Sequence, residues 1–123
     1  MSNKRYSIKN NLLNEKHATG VISELKATQF LIKNGFLVFT NTSPNGLIDI
    51  IAVNDDGEVF LIDVKTITHR KKYKYPSKKE INRCPTSNQK KMGVILMMID
   101  DENIKFSPSN CILAKIIKKI QCQ

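Results

Sequence analysis

The chain has 123 residues, 41% of them hydrophobic and 25% charged, which is enough for one hydrophobic core and too little for two. No apolar run approaches the roughly 20 residues of a membrane span, and the opening MSNKRYSIKNNLLNEK has no apolar stretch of signal-peptide type, so a cytoplasmic protein with no membrane partner is expected. Twenty Lys and Arg against eleven Asp and Glu leave a net charge of +9, which points to a polyanionic partner, most simply a nucleic acid; a solvated, Lys-rich surface is the competing explanation.

Residues 1–16 are polar and basic and are expected to form a flexible arm ahead of a single domain spanning 17–123. From His17 to Asn34 the sequence predicts a helix. Ala18, Val21, Ile22, Leu25 and Ile32 recur at helical spacing as its apolar stripe, and Asn34-Gly35 supplies the stop. FLVFT (Phe36 to Thr40) predicts a strand and NTSPNG a loop. LIDIIAV and EVFLIDVKT predict two more strands around the turn NDDG. The tract from His69 to Lys91 is cationic and contains Pro76 and Pro85; it predicts a loop and then a short helix over Ser87 to Met92. GVILMMI is a buried strand, NIKFS a further one, and CILAKIIKKI a closing helix in preference to a last strand. The order α-β-β-β-α-β-β-α implies an α/β domain whose mixed central sheet of four to five strands is flanked by helices. Cys84, Cys111 and Cys122 are odd in number and lack CxxC spacing, which favours free thiols over a zinc site.

The informative stretch is FLIDVKT, where Asp63 and Lys65 interrupt an apolar strand. Charged groups there are costly to desolvate unless they are paired. The turn decides whether Asp49, on the preceding strand, can join them. A three-residue loop Asp55-Asp56-Gly57, with Gly57 left-handed, makes Asn54 face Glu58 and pairs Asp49 with Asp63. Directly opposed residues share a face at about 4.5–5.5 Å between Cβ atoms, and Lys65 is on that face too. A two-residue Asp56-Gly57 turn would instead pair Asp49 with Val64 and send Asp63 to the other side. Two carboxylates that close repel each other unless one is protonated or a cation sits between them. A hard, partly hydrated divalent ion, Mg²⁺ (or Mn²⁺), suits such a pair. Glu24, near Thr28 and Leu31 on the first helix, borders the predicted stripe; by itself it reads as an ordinary border residue.

Together, Glu24, the G-L-I-D segment with Asp49 and the D-V-K segment with Asp63 and Lys65 resemble the PD-(D/E)XK nuclease superfamily. Within it the chain is most similar to archaeal-type Holliday junction resolvases and small phage or intron-encoded endonucleases. The resemblance covers residues 17–100 and includes the spacing from Glu24 to Gly35-Phe36. It departs from the motif at Ile48, where the family name has Pro, and in a longer, more basic stretch from Thr66 to Thr86.

The resemblance implies a restriction-endonuclease-like core and metal-dependent hydrolysis of phosphodiester bonds in DNA, structure-selective for branched DNA. A homodimer would match a two-fold symmetric junction, and the location would be the cytoplasm, the host's if the gene is a phage's. Asp49, Asp63 and the backbone carbonyl of Val64 would hold the metal, with Glu24 completing the outer shell or binding a second ion. Lys65 would orient the attacking water or stabilise phosphate charge. Gln89 resembles a polar residue that some branches place beside the site, and Ser43 falls in a loop where resolvases use a serine on the DNA backbone.

Arg70, Lys71, Lys72, Tyr73 and Lys74 follow the D-V-K strand. They are expected to bind DNA through phosphate contacts and stacking, with Lys90, Lys91 and the patch Lys115, Lys118 and Lys119 as lesser candidates. A non-catalytic nucleic-acid-binding module with a nuclease-like fold and a nicking or homing-type endonuclease are the competing functions. The intact Asp49, Asp63 and Lys65 set disfavours the first of these.

Overall fold

The computed structural model describes residues 14–43, 46–68 and 83–122. Its elements are α1 (Glu15–Lys33), β1 (Leu37–Thr40), β2 (Ile50–Val53), β3 (Val59–Thr66), α2 (Ser87–Met92), β4 (Val94–Ile99), β5 (Ile104–Ser107) and α3 (Ile112–Gln121), in the order expected. They form an α/β domain with one five-stranded mixed sheet, in spatial order β1-β2-β3-β4-β5. The first three strands form an antiparallel meander, β4 runs parallel to β3, and β5 returns antiparallel to β4. Among the described residues, no helix is long and apolar enough to cross a membrane.

Local chemistry sets most boundaries. Asn14 caps α1 by accepting the His17 N–H at 2.9 Å, which starts the helix two residues before the expected His17. The chain leaves α1 through Gly35 at φ 88°, a left-handed conformation that strongly favours glycine. The turn after β2 is closed by Gly57 at φ 79°, with the Gly57 N–H on the Asn54 carbonyl at 3.0 Å and the Asn54 N–H on the Glu58 carbonyl at 3.2 Å. This is the three-residue loop, and the pairs Val53–Val59, Ala52–Phe60, Ile51–Leu61 and Ile50–Ile62 follow from it.

The core lies on one face of the sheet. Ile50, Ala52, Phe60, Ile62, Val64, Met97 and Ile99 meet Ala27 and Leu31 of α1 and Leu113 and Ile117 of α3. Phe36 packs edge-on against Phe60, with ring centroids 6.1 Å apart. α2 lies on the opposite face, against β4.

One expectation fails at α1. Of the predicted stripe only Ala18 is buried; Val21, Leu25 and Ile32 are 47%, 63% and 57% exposed, and Ile22 is half-buried. The buried face instead runs through Ala18, Ser23, Ala27 and Leu31. Helical periodicity identifies an apolar stripe without fixing which stripe the sheet takes. Here the sheet takes the one whose small residues, Ser23 and Ala27, let the helix lie close.

The second correction concerns β2, which begins at Ile50 rather than at Leu47. The carbonyls of Leu47 and Ile48 are satisfied by side chains: Gln89 Nε2 donates to Leu47 O at 3.0 Å and Asn41 Nδ2 to Ile48 O at 2.9 Å. The Asn41 N–H on Asp49 O at 2.9 Å continues the β1–β2 register one pair further.

Candidate active site

Asp63 occupies the middle of β3, with its side chain on the face opposite Ile62 and Val64. It is 5% exposed, a burial that an ionisable group sustains only with partners. Two donors converge on its Oδ2: Gln89 Nε2 at 2.9 Å and Lys65 Nζ at 3.3 Å. Lys65 is two residues along the same strand face, and its side chain is 41% exposed, so the ammonium touches the carboxylate and solvent together.

Asp49 sits directly before β2. Its N–H donates to the Ile62 carbonyl at 2.8 Å, one residue out of step with the pairing of β2 and β3, an offset of the kind a β-bulge produces. Its carboxylate Oδ2 accepts the Val64 N–H at 2.8 Å, taking the place of a ladder carbonyl. Asp49 is thereby tied to β3 on both sides of Asp63, and the two carboxyls share a hydrogen bond. The Asp49 carboxyl is pushed up to about 7, first by burial, then by its hydrogen bond to Asp63, and further by the charges of Asp63 and Glu24; the Val64 N–H pulls the other way. Glu24 on α1 is raised as well, by burial and then by the negative charge of Asp63, which places it in electrostatic reach of the pair.

Gln89 opens α2 and is itself 5% exposed. The Thr86 hydroxyl accepts the Gln89 N–H at 3.2 Å while Gln89 Oε1 accepts the Thr86 N–H at 3.0 Å, a reciprocal capping box. The same amide reaches Asp63 and Leu47 through Nε2. Its side-chain groups are thus engaged inside the protein, on Thr86, Leu47 and Asp63, and Gln89, expected among the DNA-binding residues, is buried beside Asp63. The Thr86-x-x-Gln89 spacing is the sequence signal for that arrangement, and the resemblance alone assigned Gln89 only a general place beside the site.

The remaining expected site residues are placed less closely. Ser43 lies on the exposed loop between β1 and β2, its N–H held by Asn41 Oδ1 at 2.8 Å. Lys90 and Lys91 are exposed on the last turn of α2, and Lys115, Lys118 and Lys119 are exposed on α3. Arg70, Lys71, Lys72, Tyr73 and Lys74 lie outside the described residues, as does the basic arm up to residue 13. Cys84, Cys111 and Cys122 are free.

No protein-family model, curated protein or solved structure matches the chain.

The donor chemistry fits a hard divalent cation. Among the described residues no three His, Cys, Asp or Glu side chains converge to enclose a metal. Mg²⁺, however, commonly takes one or two carboxylates and keeps several waters, and the Asp49–Asp63 pair offers two carboxyls. The Asp49 carboxyl is raised first by burial and then by its hydrogen bond to Asp63, so a proton or a cation there relieves the pair. Glu24 stands outside the directly joined pair and within reach of its charge.

Proposed function

We propose that the protein is a metal-dependent DNA endonuclease of PD-(D/E)XK type that hydrolyses phosphodiester bonds and prefers branched DNA. One observation carries this reading: the Asp49 carboxylate, held on the Val64 N–H, meets Asp63 while Lys65 shares the face of Asp63 and contacts its carboxylate. A structural ion pair would need one acid and one base. Two carboxyls forced together, with a third in electrostatic range, are relieved by a shared proton or by a cation, and as the pH rises through 7 the cation is what remains.

Asp49, Asp63 and the Val64 carbonyl would hold Mg²⁺ or Mn²⁺, which supplies an activated water and shields charge on the phosphate. The chain's own groups do the rest. Lys65, half in solvent, can hydrogen-bond the attacking water or a non-bridging phosphate oxygen. Gln89 holds Asp63 in one orientation, so that its charge is pre-aimed when the phosphate arrives. The net charge of +9 draws the polyanion in, with salt-dependent and sequence-blind affinity. Branched DNA as substrate and a homodimer acting on a two-fold symmetric junction extend the same reading.

The test is cleavage of labelled four-way junction, flap and linear duplex, each with Mg²⁺ or EDTA, by the wild type and by Asp63→Ala. Metal-dependent cutting that Asp63→Ala abolishes supports the proposal, and paired symmetrical nicks on the junction identify a resolvase. DNA binding without metal-dependent cleavage of any substrate would instead identify a non-catalytic binding module.

A further inference from the structure

A pair of hydroxyls lies just past the site, on the core side of β3. Ser23, in the middle of α1, is 5% exposed, and its Oγ meets Thr66 Oγ1 at 2.7 Å. Its companions on that buried helix face are Ala18, Ala27 and Leu31. Alanine at position 23 would have the higher helix propensity and no polar group to desolvate, so the hydroxyl needs a reason.

The position of the pair supplies one. Thr66 directly follows Lys65, and because strand residues alternate in direction it points to α1 while Asp63 and Lys65 take the other face. Ser23 directly precedes Glu24, and successive helix residues project about 100° apart. Anchoring Ser23 on β3 therefore sets the direction in which Glu24 leaves the helix. The other described ties of α1 cannot do this as well. Its packing through Ala27 and Leu31 is non-directional. The Lys26–Asp101 ion pair is exposed and reaches the β4–β5 turn instead.

We infer that the Ser23–Thr66 hydroxyl pair is a positioning device that fixes the rotation of α1 on β3, so that the Glu24 carboxylate faces the Asp49–Asp63 pair. This rests on reading that pair as a divalent-cation site. The effect of the Asp63 charge on Glu24 agrees with such an orientation.

The experiment is a Mn²⁺ titration by calorimetry of the wild type, Ser23→Ala, Glu24→Gln, the double variant, Thr66→Val and Thr66→Ser, with melting curves for each. Partners one step removed from a metal ligand typically matter about 10- to 100-fold in affinity, and this pair acts one step further out. Ser23→Ala and Thr66→Val should each weaken Mn²⁺ binding about three- to tenfold. Thr66→Ser, which keeps the hydroxyl, should restore wild-type affinity. In the Glu24→Gln background, Ser23→Ala should change the affinity less than about twofold, since the two residues act as one unit.

Unchanged affinity in Ser23→Ala alongside a lowered melting temperature would show a merely structural hydroxyl and overturn the inference. Equal losses with and without Glu24 would overturn it too. Wild-type protein that binds no Mn²⁺ would remove the cation site itself, a distinct failure that takes this inference with it.

Discussion

Replacing Asp49 by Asn should stabilise the protein while removing the proposed metal site. The amide is isosteric: its oxygen can still accept the Val64 N–H, and its NH₂ can donate to Asp63 in place of a proton. The folded-state value of Asp49 lies near 7 against an ordinary 3.8, so between those limits the folded protein holds a proton that the unfolded chain has released. Stability from this group is complete below about pH 3.8 and is lost as the pH rises through 7. At about 1.36 kcal/mol per pKa unit the full span is at most about 4 kcal/mol. Asp49 is only half-buried, and solvent screening reduces that to about 1–2 kcal/mol. For a chain of this size 1 kcal/mol is worth roughly 4 °C, so in EDTA at pH 8 the variant should melt roughly 4–8 °C above wild type. Near pH 4 the advantage should vanish. Adding Mg²⁺ should reverse the order, because ligand at 100 times its Kd contributes about 2.7 kcal/mol to the wild type alone. A variant no more stable than wild type at pH 8, or equally advantaged at both pH values, would refute the opposed-carboxyl account.

Gln89→Leu removes the donor to Asp63 and Leu47 and the acceptor for Thr86, and should cost about 1–3 kcal/mol in chemical denaturation. Gln89→Glu should cost more, since it sets a third carboxylate against Asp63; equal stabilities would place the amide elsewhere. Leu31→Ala should cost about 2–5 kcal/mol, whereas Leu25→Ala, 63% exposed, should stay within about 0.5 kcal/mol. Lys65→Met should lower kcat about 10²–10⁴-fold with little change in DNA affinity measured by anisotropy; unaltered turnover would exclude Lys65 from the chemistry.

Features set by one residue's backbone or by a short spacing were legible in the sequence. Gly57 takes a conformation that alanine avoids, so the turn length, and with it the pairs from Val53–Val59 to Ile50–Ile62, followed from local chemistry, whereas the offset that brings Asp49 to the Val64 N–H did not. The bounds of α2 were equally local, written by Thr86 and Gln89 at one end and Gly93 at the other. Features chosen by tertiary packing were not legible. Val21, Leu25 and Ile32 have the right period for a core stripe, yet the sheet took the narrower face through Ser23 and Ala27. Likewise LIDIIAV reads as seven strand residues. Its first two, Leu47 and Ile48, leave the ladder with their carbonyls held by the side chains of Gln89 and Asn41, the former 42 residues away in sequence.

The six residues of α2 are about half of what a helix needs to persist in water by itself. Its first turn is held by a reciprocal capping box, the Thr86 hydroxyl and a glutamine amide that also grips a strand acid. Fraying of that one turn therefore disarms the acid at the same moment, and amide exchange at Gln89 and Lys90 should report the fraction of molecules caught in the slackened state.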